Sequence, residues 1–155
     1  MKKFQGKVSL LAAVAVMATS AFVTSCSSSD DNGGIDLPER GSIDAAVGTY
    51  KGSMRVYDDF TGTGKYEFFD VIIQVTKVDA QHVKVTAKSG EIYSRVTEKV
   101  MKVEGNYNND ITTVTGDLSG IFWYHADTKT MDVHTTKQAE GEIIYVFEGA
   151  KQAGK

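Results

Sequence analysis

The chain is short of the residues that staple small exported domains or carry redox and metal chemistry. In 155 residues it has one cysteine, one proline, one tryptophan and three histidines. With Cys26 alone, no intrachain disulfide can form, so stability has to come from a packed core. No Gly-x-Ser-x-Gly elbow, phosphate loop or paired-carboxylate arrangement is present, so the chain is not expected to be an enzyme and no cofactor is implied. No stretch of helical period runs long enough to predict a packed helix. The apolar run from Val8 to Val23 is too short, and too polar near its end, to be retained as a span needing roughly 20 apolar residues.

What is present first is a leader. Lys2, Lys3 and Lys7 form a positive start, Val8 to Met17 is apolar apart from Ser9, and small residues follow up to Ser25. Val23-Thr24-Ser25-Cys26 resembles the lipobox of bacterial lipoproteins, with Val23 where Leu is usual and Ser25 in the small position before the cysteine. The resemblance implies that Cys26 receives a diacylglycerol, the leader is removed, and the new amino terminus is acylated. An ordinary secretory leader cut near Ala18 or Ala21 is the alternative. At about 0.8 kcal/mol per buried methylene, two or three acyl chains would hold the protein stably at a bilayer.

Ser27 to Gly34 has nothing apolar to bury and reads as a flexible tether. Its serine and acidic run also resembles the signal that sends lipoproteins of Bacteroidota to the outer face of the outer membrane. The implied location is a lipid anchor in the outer membrane facing the cell exterior, with a periplasm-facing anchor as the alternative. The chain thus divides into a leader over 1–25, a lipidated cysteine and tether over 26–46, and one folding unit over 47–155. Without the leader, 14 basic residues stand against 20 acidic ones, a formal charge of −6 that argues against a nucleic-acid partner.

Ser42 to Val47 suits one helical turn capped by Ser42. From Gly48 the pattern is short β-rich runs between Gly, Asn and Asp. Strands are expected over 49–57, 66–78, 82–88, 111–117, 118–125, 130–137 and 142–150, with 91–104 forming two short strands or one bent strand. In the first, Tyr50, Met54 and Val56 share a face; in the second, Phe69, Val71, Ile73 and Val75 do so, opposite Phe68, Asp70, Ile72 and Gln74. Eight or nine antiparallel strands with no crossover helix predict an all-β, eight-stranded antiparallel barrel or sandwich, whose interior is either filled or holds one small ligand.

Gly48-Thr49-Tyr50-Lys51-Gly52 at the opening strand and Phe147-Glu148-Gly149-Ala150-Lys151 at the closing one resemble the calycin-like β-barrel family of Bacteroidota lipoproteins. The resemblance spans Gly48 to Lys151 and implies a calycin or lipocalin-like barrel more firmly than any activity. Lipocalins and avidins open with Gly-x-Trp, whereas Tyr50 stands in the Trp place here.

His82, His125 and His134 fall on different strands without i, i+2 or i, i+4 partners, and no metal site is expected of them. Asp58 with Asp59, and Asn106, Asn108 and Asn109 with Asp110, offer oxygen ligands but lack the spacing of a calcium loop; turns use the same residues. The last strands are crowded with apolar residues over 121–124 and 143–147, so both faces of a strand carry them. The leading expectation is a cavity lined by Tyr50, Trp123 and Tyr145 that holds a small apolar or amphipathic ligand. The alternative is a filled barrel acting as a protein-interaction or inhibitor module, with Phe122, Tyr124, Ile144 and Val146, joined by Phe68 and Ile72, on its outer face.

Overall fold

The computed structural model describes residues 40–57 and 65–154; the leader, Cys26, the tether up to Glu39 and the Asp58-Asp59 pair lie outside them. Asp36–Lys155 forms one compact unit.

Period-two alternation builds the fold. The strands are β1 (Gly48–Val56), β2 (Tyr66–Lys77), β3 (His82–Ala87), β4 (Lys99–Gly105), β5 (Ile111–Thr113), β6 (Gly120–His125), β7 (Thr130–Thr135) and β8 (Tyr145–Lys151). Each pairs antiparallel with the next, and β8 returns to pair with β1, so no edge is left open and the sheet is a closed eight-stranded calycin-like barrel. The two motifs that carry the family resemblance meet at this closure, where Lys51 pairs with Ala150 and Gly52 with Gly149. Gly52 is required by the crossing: a Cβ there would lie 1.9 Å from the Glu148 carbonyl oxygen.

The barrel is filled from every wall. Tyr50 and Met54 of β1, Val71 and Ile73 of β2, Met101 of β4, Phe122 of β6, Met131 of β7, and Tyr145 and Phe147 of β8 all have 0 % of their surface exposed. A void wide enough for a water molecule would expose its walls, so these side chains occupy the interior themselves.

One end of the barrel, here the upper end, is closed by the 3-10 turn η1 (Ile43–Ala46), capped by Ser42 as read from the sequence. Ile43 and Ala46 are buried in the core, so the barrel unit starts before residue 47. The Tyr50 hydroxyl donates to the Ala46 carbonyl at 2.6 Å, and Lys77 holds Asp44 at 2.8 Å. The lower end is closed by a second 3-10 turn, η2 (Ile92–Arg95), and by residues 136–144. Lys99 points inward there, only 3 % exposed, and its ammonium meets Glu142 at 2.8 Å.

Three local expectations are corrected. Residues 91–98 hold η2 and no strand, because Tyr93 turns in so that its hydroxyl accepts the Ile72 N–H at 3.1 Å where β3 has ended. The expected strand over 111–117 stops at Thr113; beyond it Asp117 takes the Lys102 N–H at 2.6 Å and the Ser119 N–H at 2.7 Å, so a carboxylate replaces the missing ladder. In β2, Phe69 does not share the inner face. Phe68 pairs with Met54 and Val71 with Gly52, a bulge in which Asp70 takes φ 57°, and the extra residue turns Phe68 toward the core and leaves Phe69 71 % exposed.

Candidate functional site

The three residues expected to line one cavity are not brought together. Tyr50 and Tyr145 lie in the packed interior, and Trp123 is 44 % exposed on the outside of β6. Tyr50 stacks edge-on against Tyr124 with centroids 6.3 Å apart. Among the described residues Tyr145 has no hydrogen-bond partner for its buried hydroxyl, and burial pushes its ionisation well above the ordinary phenol value. Of the expected outer patch, Phe68, Ile72 and Ile144 are half-buried and Val146, opposite the outward His134, lies on the outer face but is covered, whereas Phe122 and Tyr124 are corrected to the core. The reason is register. Phe122 lies opposite Val133 and Tyr124 opposite Met131, directly paired residues share a face, and β7 keeps Met131 and Val133 inside.

Inverting β6 puts Ile121 and Trp123 outside, 54 % and 44 % exposed, and Leu118, just before the strand, is 76 % exposed. Leu118 and Ile121 line an open groove of about 710 Å³ with Asp117, Gly120, Thr136, Lys137 and Gln138. Its floor is fixed across two loops, since the Thr136 N–H donates to the Ser119 carbonyl at 3.0 Å and the Thr136 hydroxyl donates to the Leu118 carbonyl.

Trp123 is held in place from several sides. Its ring stacks on His125 at 4.8 Å and 27°, and a His125 ring nitrogen contacts Asp132, the residue opposite Trp123 on β7, at 2.9 Å. Asp110 accepts the Ala126 N–H at 2.9 Å, and this bond, with help from the Asn106 amide, His125 and the Trp123 indole, holds its carboxyl below the ordinary value. Asn106 accepts the Asn108 and Asp110 N–H groups at 2.8 and 3.0 Å, so this cluster serves its own turn. Beyond Asp132 the outer row continues to Glu148, which meets Arg55 at 3.4 Å. The face is therefore an exposed apolar strip with a polar border of both signs, Asp117, Asp132 and Glu148 standing with Lys137, His125 and Arg55.

The other histidines stand apart: His82 contacts Asp79 at 2.8 Å on the far side of the barrel, and His134 is exposed on β7. Among the described residues no group of three His, Cys, Asp or Glu side chains could hold a metal ion, and no helix is long and apolar enough to cross a membrane. The Trp123 strip was missed in the sequence because four consecutive apolar residues satisfy either parity. Comparison with protein-family models, curated proteins and solved structures finds no match to this chain.

Proposed function

We propose that the chain is a non-enzymatic lipoprotein of the calycin-like family, anchored through Cys26 in the outer membrane and facing the exterior. Its barrel is a scaffold, and it recognises a protein partner through the outer strip Leu118, Ile121 and Trp123. The observation that carries this reading is the contrast between an interior closed to water and an exposed tryptophan fixed beside an open groove. Indole anchors set in a desolvated centre with a polar rim are the usual source of binding energy between proteins. The filled interior favours this over an internal small-molecule site.

The test places a photo-cross-linking amino acid at position 121, or at position 92 as a control, in the full-length protein on intact cells. One discrete product from position 121, lost with Trp123→Ala and missing from position 92, supports the reading. Equal labelling from both positions, or none from 121, contradicts it. The anchor is tested separately by palmitate labelling, which Cys26→Ala should abolish.

A further inference from the structure

At the upper end, β8 finishes beside the β6–β7 turn, and two lysines converge there. The Lys151 N–H donates to the Lys129 carbonyl at 2.8 Å, which ties the two backbones together. The Lys151 ammonium donates to the Ala45 carbonyl at 2.6 Å and lies 5.7 Å from the centre of the Tyr124 ring. Its stem passes over Gly48, where a Cβ would meet Lys151 Cε at 2.7 Å, so the glycine of the opening motif leaves room for this lysine. Lys129 takes φ 55° in the turn. Both lysines line a concavity of about 350 Å³ with Tyr124, Gln152, Ala153 and Gly154.

Among the described residues no ion pair joins Lys129 or Lys151 to a carboxylate. The acids of this end have other work: Asp127 accepts the Thr128 N–H at 2.7 Å, Asp44 holds Lys77, Asp110 binds the Ala126 N–H, and Asp132 contacts His125. One Lys151 proton goes to Ala45, which leaves two donors, and burial together with Lys129 lowers the affinity of this ammonium for its proton. The Tyr124 ring belongs to the same wall. If these lysines served only solubility, nothing would require one of them to be drawn against the barrel beside the other.

We propose that the pocket between Lys129 and Lys151 is an anion site that takes a phosphate group, as the free ion or as the exposed phosphate of a phosphomonoester. Two ammonium groups supply more donors and more charge than one carboxylate would use, and lysine is a common point-charge partner of phosphate. The site lies away from the Trp123 strip and does not depend on it.

The test uses residues 36–155, which hold the whole barrel and its core. Amide shifts are followed by NMR during titration with inorganic phosphate to ~10 mM at constant ionic strength, because screening would otherwise mask the effect. Saturable shifts confined to Tyr124, Lys129 and 151–154 are expected, weakened about ten-fold or more in Lys151→Met and in Lys129→Met, as loss of a charge-assisted bond implies, and unchanged in Lys77→Met. Lys129→Met alters an exposed turn, so it keeps the test valid should Lys151→Met misfold. Flotation with phosphatidate-containing vesicles, against phosphatidylcholine alone, separates the sources: Lys151-dependent flotation identifies a lipid monoester, and phosphate shifts without flotation identify a soluble ligand. No saturable shift together with no flotation, or shifts that persist in the double lysine variant, overturns the site.

Discussion

Two buried tyrosines make opposite predictions for the same substitution. Tyr145 and Tyr50 both have 0 % exposure, and Phe in place of either keeps the ring that fills the barrel. The Tyr145 hydroxyl is buried and finds no acceptor among the described residues, whereas the Tyr50 hydroxyl donates to the Ala46 carbonyl at 2.6 Å. An unsatisfied buried hydroxyl costs about 1–3 kcal/mol, so Tyr145→Phe should stabilise the fold by about 1 kcal/mol, allowing for the small gap left by the lost oxygen. Tyr50→Phe should destabilise by about 1–3 kcal/mol, because it removes a hydrogen bond and leaves a buried carbonyl without its donor. For a domain of this size each kcal/mol moves the midpoint of thermal unfolding by about 3–6 °C. Thermal and urea unfolding of residues 36–155 measure both shifts. A Tyr145→Phe protein that melts lower than the parent, or a Tyr50→Phe protein that melts with it, would reveal a partner for Tyr145 or none of value for Tyr50.

Other consequences follow from the closures of the barrel. Glu142 is held at about 2, below its ordinary 4.5, by the Gln138 N–H and by Lys99. Its contribution is complete above pH 4.5 and disappears as pH falls toward 2; urea midpoints across that window should drop more steeply for the parent than for Glu142→Gln. Gly105→Ala would set a Cβ 1.9 Å from the Gly41 carbonyl oxygen, so proteolysis should open the Arg40–Ala46 segment sooner, with a loss of about 1–3 kcal/mol in urea melts. Trp123 is the only tryptophan and is partly exposed, so acrylamide should quench it in the folded state, and His125→Ala should increase that quenching by removing the stacked ring.

The barrel was readable from the sequence because most strands obey one rule: Met131, Val133 and Thr135 alternate cleanly with Asp132 and His134, and Val83 and Val85 with Lys84 and Thr86. Where the rule was broken, reading failed for physical reasons. The β2 bulge depends on Asp70 adopting a left-handed backbone, which a carboxylate permits without announcing it. The stretch that begins at Glu91 has the composition of a strand, yet it folds into η2, whose shape is set by a distant contact of Tyr93 with Ile72. Trp123 is the instructive case. Its run of four apolar residues is ambiguous alone, yet pairing His125 with Thr130 across the β6–β7 turn carries the alternation of β7 into β6 and sends Phe122 and Tyr124 inward. The phosphate pocket left no local signal, because Lys129 and Lys151 meet only when the closing strand is laid beside the turn.

The interior is filled, and the recognition proposed for this barrel is external. Native mass spectrometry of residues 36–155, titrated with a mixed lipid and metabolite extract while Trp123 fluorescence is followed, tests it most directly. No apolar adduct and no change in Trp123 emission are expected from apolar small molecules. A one-to-one apolar adduct that survives both Trp123→Ala and Lys151→Met would place a ligand inside the barrel and contradict it.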